Sequence, residues 1–188
     1  MSWAIWITGR PGSGKTTLAT HVVESIASWP VTTKILDLGA ARRAIVGRAW
    51  AAEAAEEIVH RALAYTAKLL TEAGVVVVVD ATAPRRAWRD TAREWIAHFA
   101  EVQLVCPPDL CAAREQAARW GLSGARAGVA AALAPDVALD YEESLHPELR
   151  IHTHGPELMS IVEEVVLLAR RLHRAAAAST ITSGRDMS

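Results

Sequence analysis

Short apolar runs rich in β-branched residues alternate along the chain with longer stretches whose apolar positions recur every three to four residues. That alternation predicts parallel strands joined by crossover helices, and so an α/β fold. Strands are expected at Trp3–Thr8, Thr33–Leu38, Val75–Asp80, Glu101–Cys106 and Leu149–Thr153. The unbroken valine run Val75 to Val79 leaves no polar position to face water, which places that strand inside a sheet covered on both sides. Helices are expected at Lys15–Ser28, Ala52–Ala73, Pro84–Phe99, Leu110–Trp120 and Glu157–Ala177, with Pro84 suited to a first helical turn. Residues 121–139 turn to Gly, Ala, Arg and Ser without apolar periodicity, as a segment that closes over a site would. Residues 179–188 are small and polar and are expected to form a disordered tail, leaving one domain over residues 1–178.

The connection from the first strand to the first helix carries chemistry. Gly9-Arg10-Pro11-Gly12-Ser13-Gly14-Lys15-Thr16 fits G-x-x-x-x-G-K-[ST], between a strand-like run and an amphipathic helix. Its glycines let the backbone turn tightly and bring successive N–H groups to a triphosphate at a helix N-terminus. Lys15 is placed to reach the β- and γ-phosphates, and the Thr16 hydroxyl to complete the coordination of Mg²⁺ on the same oxygens. Thr17 closes the ATP-binding group as the next residue of the helix. These positions make an ATP·Mg²⁺ site the first expectation. The surrounding fold is then a three-layer αβα sandwich with a parallel sheet of about five strands.

Composition narrows the partners. A formal net charge of -1 gives no electrostatic case for duplex nucleic acid, so anion binding must come from local basic clusters. No apolar run approaches the roughly 20 residues of a membrane helix, and the apolar start lacks a basic n-region, so a cytoplasmic protein is expected. Cys106 and Cys111 stand five apart without C-x-x-C pairing and are read as two buried thiols. His152 and His154 share a face of the last strand, near His146, but no carboxylate or Cys completes a metal set, so a surface strand is the reading.

Further segments resemble the adenylylsulfate kinases, which transfer the γ-phosphate of ATP to the ribose 3′-hydroxyl of adenosine 5′-phosphosulfate. The likeness runs from Trp3 to about Thr153 and rests on the P-loop, on Ile35-Leu36-Asp37, on Ala67-Lys68-Leu69-Leu70-Thr71-Glu72-Ala73-Gly74, and on Ala83-Pro84 with the arginine-rich helix after it. Glu101 to Pro107, Cys111-Ala112-Ala113-Arg114, Gly121-Leu122, Ala125-Arg126-Ala127-Gly128 and Asp140-Tyr141-Glu142 with Pro147 continue it. The resemblance implies that Arg114 and Arg126 contact ATP beside the lid, that Arg42 and Arg61 serve the acceptor, and that the protein forms a homodimer.

Departures from the family pattern fall on the acceptor side. The family's D-G-D-N stands here as Asp37-Leu38-Gly39-Ala40, without the second Asp. Its E-N-I-R-R stands as Ile58-Val59-His60-Arg61-Ala62, where Arg61 alone matches and His60 is read as a helix surface residue near the cleft. The lid lacks the family's Lys and aromatic, and no phenylalanine follows it. Conversely, Asp80 ends the third strand where the family has a small residue. Carboxyl ends of parallel strands face the ligand crevice, so Asp37 and Asp80 are both catalytic and acceptor-side candidates, one to bind Mg²⁺ through water, the other to orient or deprotonate the acceptor hydroxyl. The helix bearing Arg85, Arg86, Arg89 and Arg93 is expected to present a solvated face, from which Arg85 is the candidate to reach the acceptor. Trp50, Trp88 and Trp120 fall near the acceptor cleft or lid, and Trp3, Trp6, Trp29 and Trp95 in the core or at helix ends. Two alternatives stay open: a kinase of another nucleotide, sugar or natural-product hydroxyl, and an ATP-binding regulatory module without turnover.

Overall fold

The strand run Ala4–Gly9 (β1) is buried at every position and pairs in parallel on both sides, which makes it the axis of the fold. A computed structural model describes residues 1–45, 53–119 and 140–185. The remaining strands are Thr33–Asp37 (β2), Val76–Asp80 (β3), Phe99–Val105 (β4) and Leu149–His152 (β5), in the spatial order β2-β3-β1-β4-β5. The described helices are Lys15–Ser25 (α1), Leu38–Ile45 (α2), Glu53–Glu72 (α3), Arg86–Trp95 (α4), Pro108–Arg119 (α5) and Leu158–Arg185 (α6).

Period-two alternation along the strands sorts the core into two layers. Trp3, Ile5, Ile7, Val76 and Val78 face α1 and α6, where Leu18, Val22, Ile161 and Val165 meet them. Ala4, Trp6, Val77 and Val79 point the other way, toward Val59, Leu63 and Ala67 of α3 and Ala92 of α4. Val76 to Val79 are all fully buried, as a strand without polar positions requires. The αβα sandwich with a five-stranded parallel sheet is the expected architecture.

Differences from the expected elements have local causes. The helix α2 was not expected; the Asp37 carboxylate accepts a 2.7 Å hydrogen bond from the Ala40 amide and so starts it directly at the end of β2. The α4 helix begins at Arg86 because Arg85 is extended, and it ends at Trp95 because Ile96 is extended, which frees Phe99 to start β4. The α5 helix starts at Pro108, where a missing N–H costs nothing. The α6 helix continues through Arg185, eight residues past the expected end at Ala177, into the segment expected to be a disordered tail. The lid segment 121–139, with Arg126 and Trp120, and also Trp50, lie outside the described residues.

The expectation of a solvated arginine face on α4 is overturned at Arg89, which is 1% exposed. Its Nε lies 2.8 Å from the buried Glu101 carboxylate of β4, and its Nη2 donates to the Glu142 carbonyl at 2.6 Å. Its Nη1 donates to the carbonyl of Ala83, a residue held at φ +41° in the β3–α4 connection. Ser144 donates to the same Glu101 carboxylate, and Arg93 grips Glu148 through two hydrogen bonds, one of 2.9 Å. These charges tie residues 142–148 down onto α4 and β4. Arg89→Ala would leave Glu101 buried without its counter-charge; urea unfolding is expected to show a loss of about 3–5 kcal/mol. Retention of wild-type stability would mean that the pair contributes nothing net.

Candidate active site

The P-loop turns between the carboxyl end of β1 and the start of α1, with Gly12 at φ +76° and Gly14 at φ +98°, conformations that side chains resist. At Gly12 a Cβ would also sit 2.2 Å from the Cys111 carbonyl oxygen, so the loop lies directly on the backbone of α5. Lys15 is buried, and its Nζ donates to the carbonyls of Gly9 and Arg10, each at 3.1 Å. The Thr16 hydroxyl donates to Asp80 Oδ2 at 2.5 Å. Burial raises the Asp80 pKa above the ordinary carboxylate value, against the opposing pull of Lys15 and the Thr16 hydroxyl and with a smaller push from Asp37. Asp37 and Asp80 stand opposite one another in the β2/β3 register.

Two clefts open beside the loop. The first, of about 230 Å³, is lined by Arg10 and Pro11 of the P-loop, by Arg42, Glu56 and His60, and by Thr82 and Tyr141. The second, of about 290 Å³, is lined by Ser13, Gly14 and Thr17 from the loop's other half, by Arg114, and by Thr153, Pro156 and Leu158. Arg114 donates to the Thr153 carbonyl at 3.1 Å and approaches the Cys106 sulfur at 3.7 Å. In the first cleft the hydroxyl of the half-buried Tyr141 lies 3.2 Å from Thr8 Oγ1, which donates to the Thr82 carbonyl at 2.6 Å. Burial raises the Tyr141 pKa, which keeps the phenol neutral.

The structure therefore gathers Arg10, Pro11, Ser13, Gly14, Lys15, Thr16, Thr17, Asp80, Arg42 and Arg114 around the loop and its clefts. Arg61 lies apart: it is exposed, with its guanidinium 5.3 Å from the centroid of the Trp95 ring. Arg85 pairs with Glu53 at 2.7 Å and Glu142 at 3.3 Å. His60 is not the expected surface residue: it is fully buried, stacked on Trp88 at 4.3 Å. Glu56 and Tyr141 were not singled out as site residues. The buried positions of α3, including Glu56, Val59, His60, Leu63 and Ala67, fall at helical spacing, so a period count from Val59 would have turned Glu56 and His60 inward and Arg61 out. The free thiols Cys106 and Cys111 are both buried, and burial with the neighbouring Cys106 pushes Cys111 up to about 12, so it stays protonated. Among the described residues no group of His, Cys, Asp and Glu could hold a metal ion in a cage, which leaves His152 and His154 as edge-on rings 5.6 Å apart. Among the same residues no helix is long and apolar enough to cross a membrane.

A parallel sheet, a P-loop at the end of its axial strand and a strand-end carboxylate bound to the loop's threonine define a P-loop nucleoside triphosphatase fold. The family model described as Adenylylsulphate kinase matches residues 1–152, and the chain belongs to that family of ATP-dependent kinases acting on a hydroxyl. It is 32% identical over 157 residues to the probable adenylyl-sulfate kinase of Archaeoglobus fulgidus, covering 81% of this chain and 97% of that protein. It is 29% identical over 169 residues to the probable adenylyl-sulfate kinase of Pyrococcus abyssi, covering 90% of this chain and 94% of that protein. Among solved structures, the Mycobacterium tuberculosis APS kinase CysC in complex with AMPPNP and APS superposes with a TM-score of 0.72 at 26% identity, over 90% of this chain and 98% of that one.

The direction of the Asp80 shift fixes a sign. A carboxyl whose folded pKa is raised holds its proton more tightly in the fold than in the unfolded chain, so its ionisation subtracts stability as pH rises. Asp80→Asn, without nucleotide, is expected to unfold at higher urea concentration than wild type at pH 7.5, and the gap to close as pH falls toward the ordinary carboxylate range. A variant less stable at pH 7.5 would refute this ordering of burial over Lys15.

Proposed function

We propose that the chain phosphorylates the 3′-hydroxyl of adenosine 5′-phosphosulfate with ATP. The Thr16–Asp80 hydrogen bond beside Lys15 carries the donor half of this reading, because it sets a hydroxyl, a carboxylate and an ammonium around the place a γ-phosphate would occupy. The acceptor half is supported by the family match and by the relative solved with both nucleotides. In this reading the nucleoside of ATP lies in the second cleft against Arg114, and the acceptor in the first, between Arg42 and Tyr141.

The donor set fits Mg²⁺: Thr16 offers a hydroxyl and Asp80 a carboxylate, both hard oxygens, and these residues would hold it. When bound, the ion would neutralise charge on the β- and γ-phosphate oxygens. Lys15 moves from the carbonyls of Gly9 and Arg10 to the transferred phosphoryl group. The acceptor oxygen bonds to the γ-phosphorus as the β–γ bridging bond breaks and ADP leaves. Asp37, beside Asp80 in register and fixed by the Ala40 amide, takes the hydroxyl proton.

The test is transfer from γ-labelled ATP to adenosine 5′-phosphosulfate, with the product identified by mass spectrometry. Lys15→Ala is expected to lower kcat by about 10²–10³-fold. Asp37→Asn is expected to lower kcat by about 10²–10⁴-fold with the KM for ATP little changed, and Asp80→Asn to raise the Mg²⁺ concentration needed for half activity. No product from a protein that binds ATP would overturn the acceptor. Full activity of Asp37→Asn would remove that residue as the base.

A further inference from the structure

Arg42 and Glu56 meet in the wall of the first cleft, Nη2 to Oε2 at 2.6 Å, with side chains only 14% and 9% exposed. Neither is loosely held. Arg42 sits on α2, whose start Asp37 caps. Glu56 sits one turn before His60 on α3; His60 Nδ1 lies 2.6 Å from the Glu56 carbonyl oxygen, and the His60 ring is stacked on Trp88. The turn that carries the carboxylate is thus fixed from behind.

Arg10 lies at the P-loop side of this cleft, and an anion that binds at the α2 side, against Arg42, must share that guanidinium with Glu56. Displacing Glu56 strands a mostly desolvated carboxylate, and adding the anion beside the intact pair sets two negative groups against one guanidinium. We propose that Glu56 is a specificity-determining residue of this cleft, competing with the acceptor's anionic group for Arg42 and so disfavouring acceptors in proportion to their charge. The inference rests on the reading that the first cleft takes the acceptor.

The test titrates adenosine 5′-phosphosulfate calorimetrically into protein saturated with ADP, for wild type, Glu56→Gln, Arg42→Ala and the double variant, with turnover measured in parallel. Glu56→Gln is expected to tighten binding about tenfold and to lower the acceptor KM more than it alters kcat. The double variant is expected to lose that gain, and the gain is expected to shrink as salt is raised. ADP affinity reports whether each variant is folded. Binding unchanged or weakened in a folded Glu56→Gln protein would overturn the inference, because Glu56 would then be bystander or ligand. Tighter binding without turnover in any variant would uphold the competition and sink the kinase reading. Turnover with an acceptor KM indifferent to Glu56→Gln would do the reverse.

Discussion

The register between β1 and β3 is the constraint on which the site depends. Ile7 stands opposite Asp80, two residues before the P-loop begins at Gly9, so loop and carboxylate leave the sheet at the same level. Thr16 can then reach Asp80 across 64 residues of sequence. A slip of one residue would turn Asp80 to the opposite face, away from Thr16. Because valine would replace valine in both apolar layers, the run Val76 to Val79 accepts either phase, and what distinguishes the register is the residue that ends it, Asp80, held by Thr16.

Two desolvated ion pairs have different consequences. Arg89 with Glu101 is closed in by Ser144, Glu142 and Ala83, and the hydrogen bonds from both Arg89 Nη atoms make it a fastener for the chain that carries Tyr141 into the first cleft. The Arg89 guanidinium also lies 5.2 Å from the centroid of the Tyr141 ring, so the same side chain steadies that ring. Arg42 with Glu56 faces the cleft instead, so its charge balance is exposed to whatever enters. A pair of the same chemistry is structural in one place and selective in the other because of what it adjoins.

Much of this was legible in the sequence. The strands and the P-loop rest on local patterns, β-branched runs and glycine spacing, which tertiary contacts reinforce and do not override. The helix α2 was illegible because its start depends on Asp37 acting as a cap, a role that competes with chemistry for the same residue type. Arg89 was read as solvated because arginine on a polar helix usually is; its partner lies on another strand, and nothing local announces the pairing. His60 was illegible for a different reason, since matching it to a family position says nothing of helical phase. The phase turns His60 inward and Arg61 toward Trp95.

The helix α5 separates the two clefts by its own thickness. Arg114 faces one, while Cys111, Ala112 and Glu115 face the other, and the carbonyl of Cys111 abuts Gly12 where no Cβ would fit. In the proposed reading the donor and acceptor compartments therefore share one wall, whose inner edge is the phosphate loop itself. A substitution in α5 therefore reaches both sides of the phosphate loop at once, because a single helix lines both clefts.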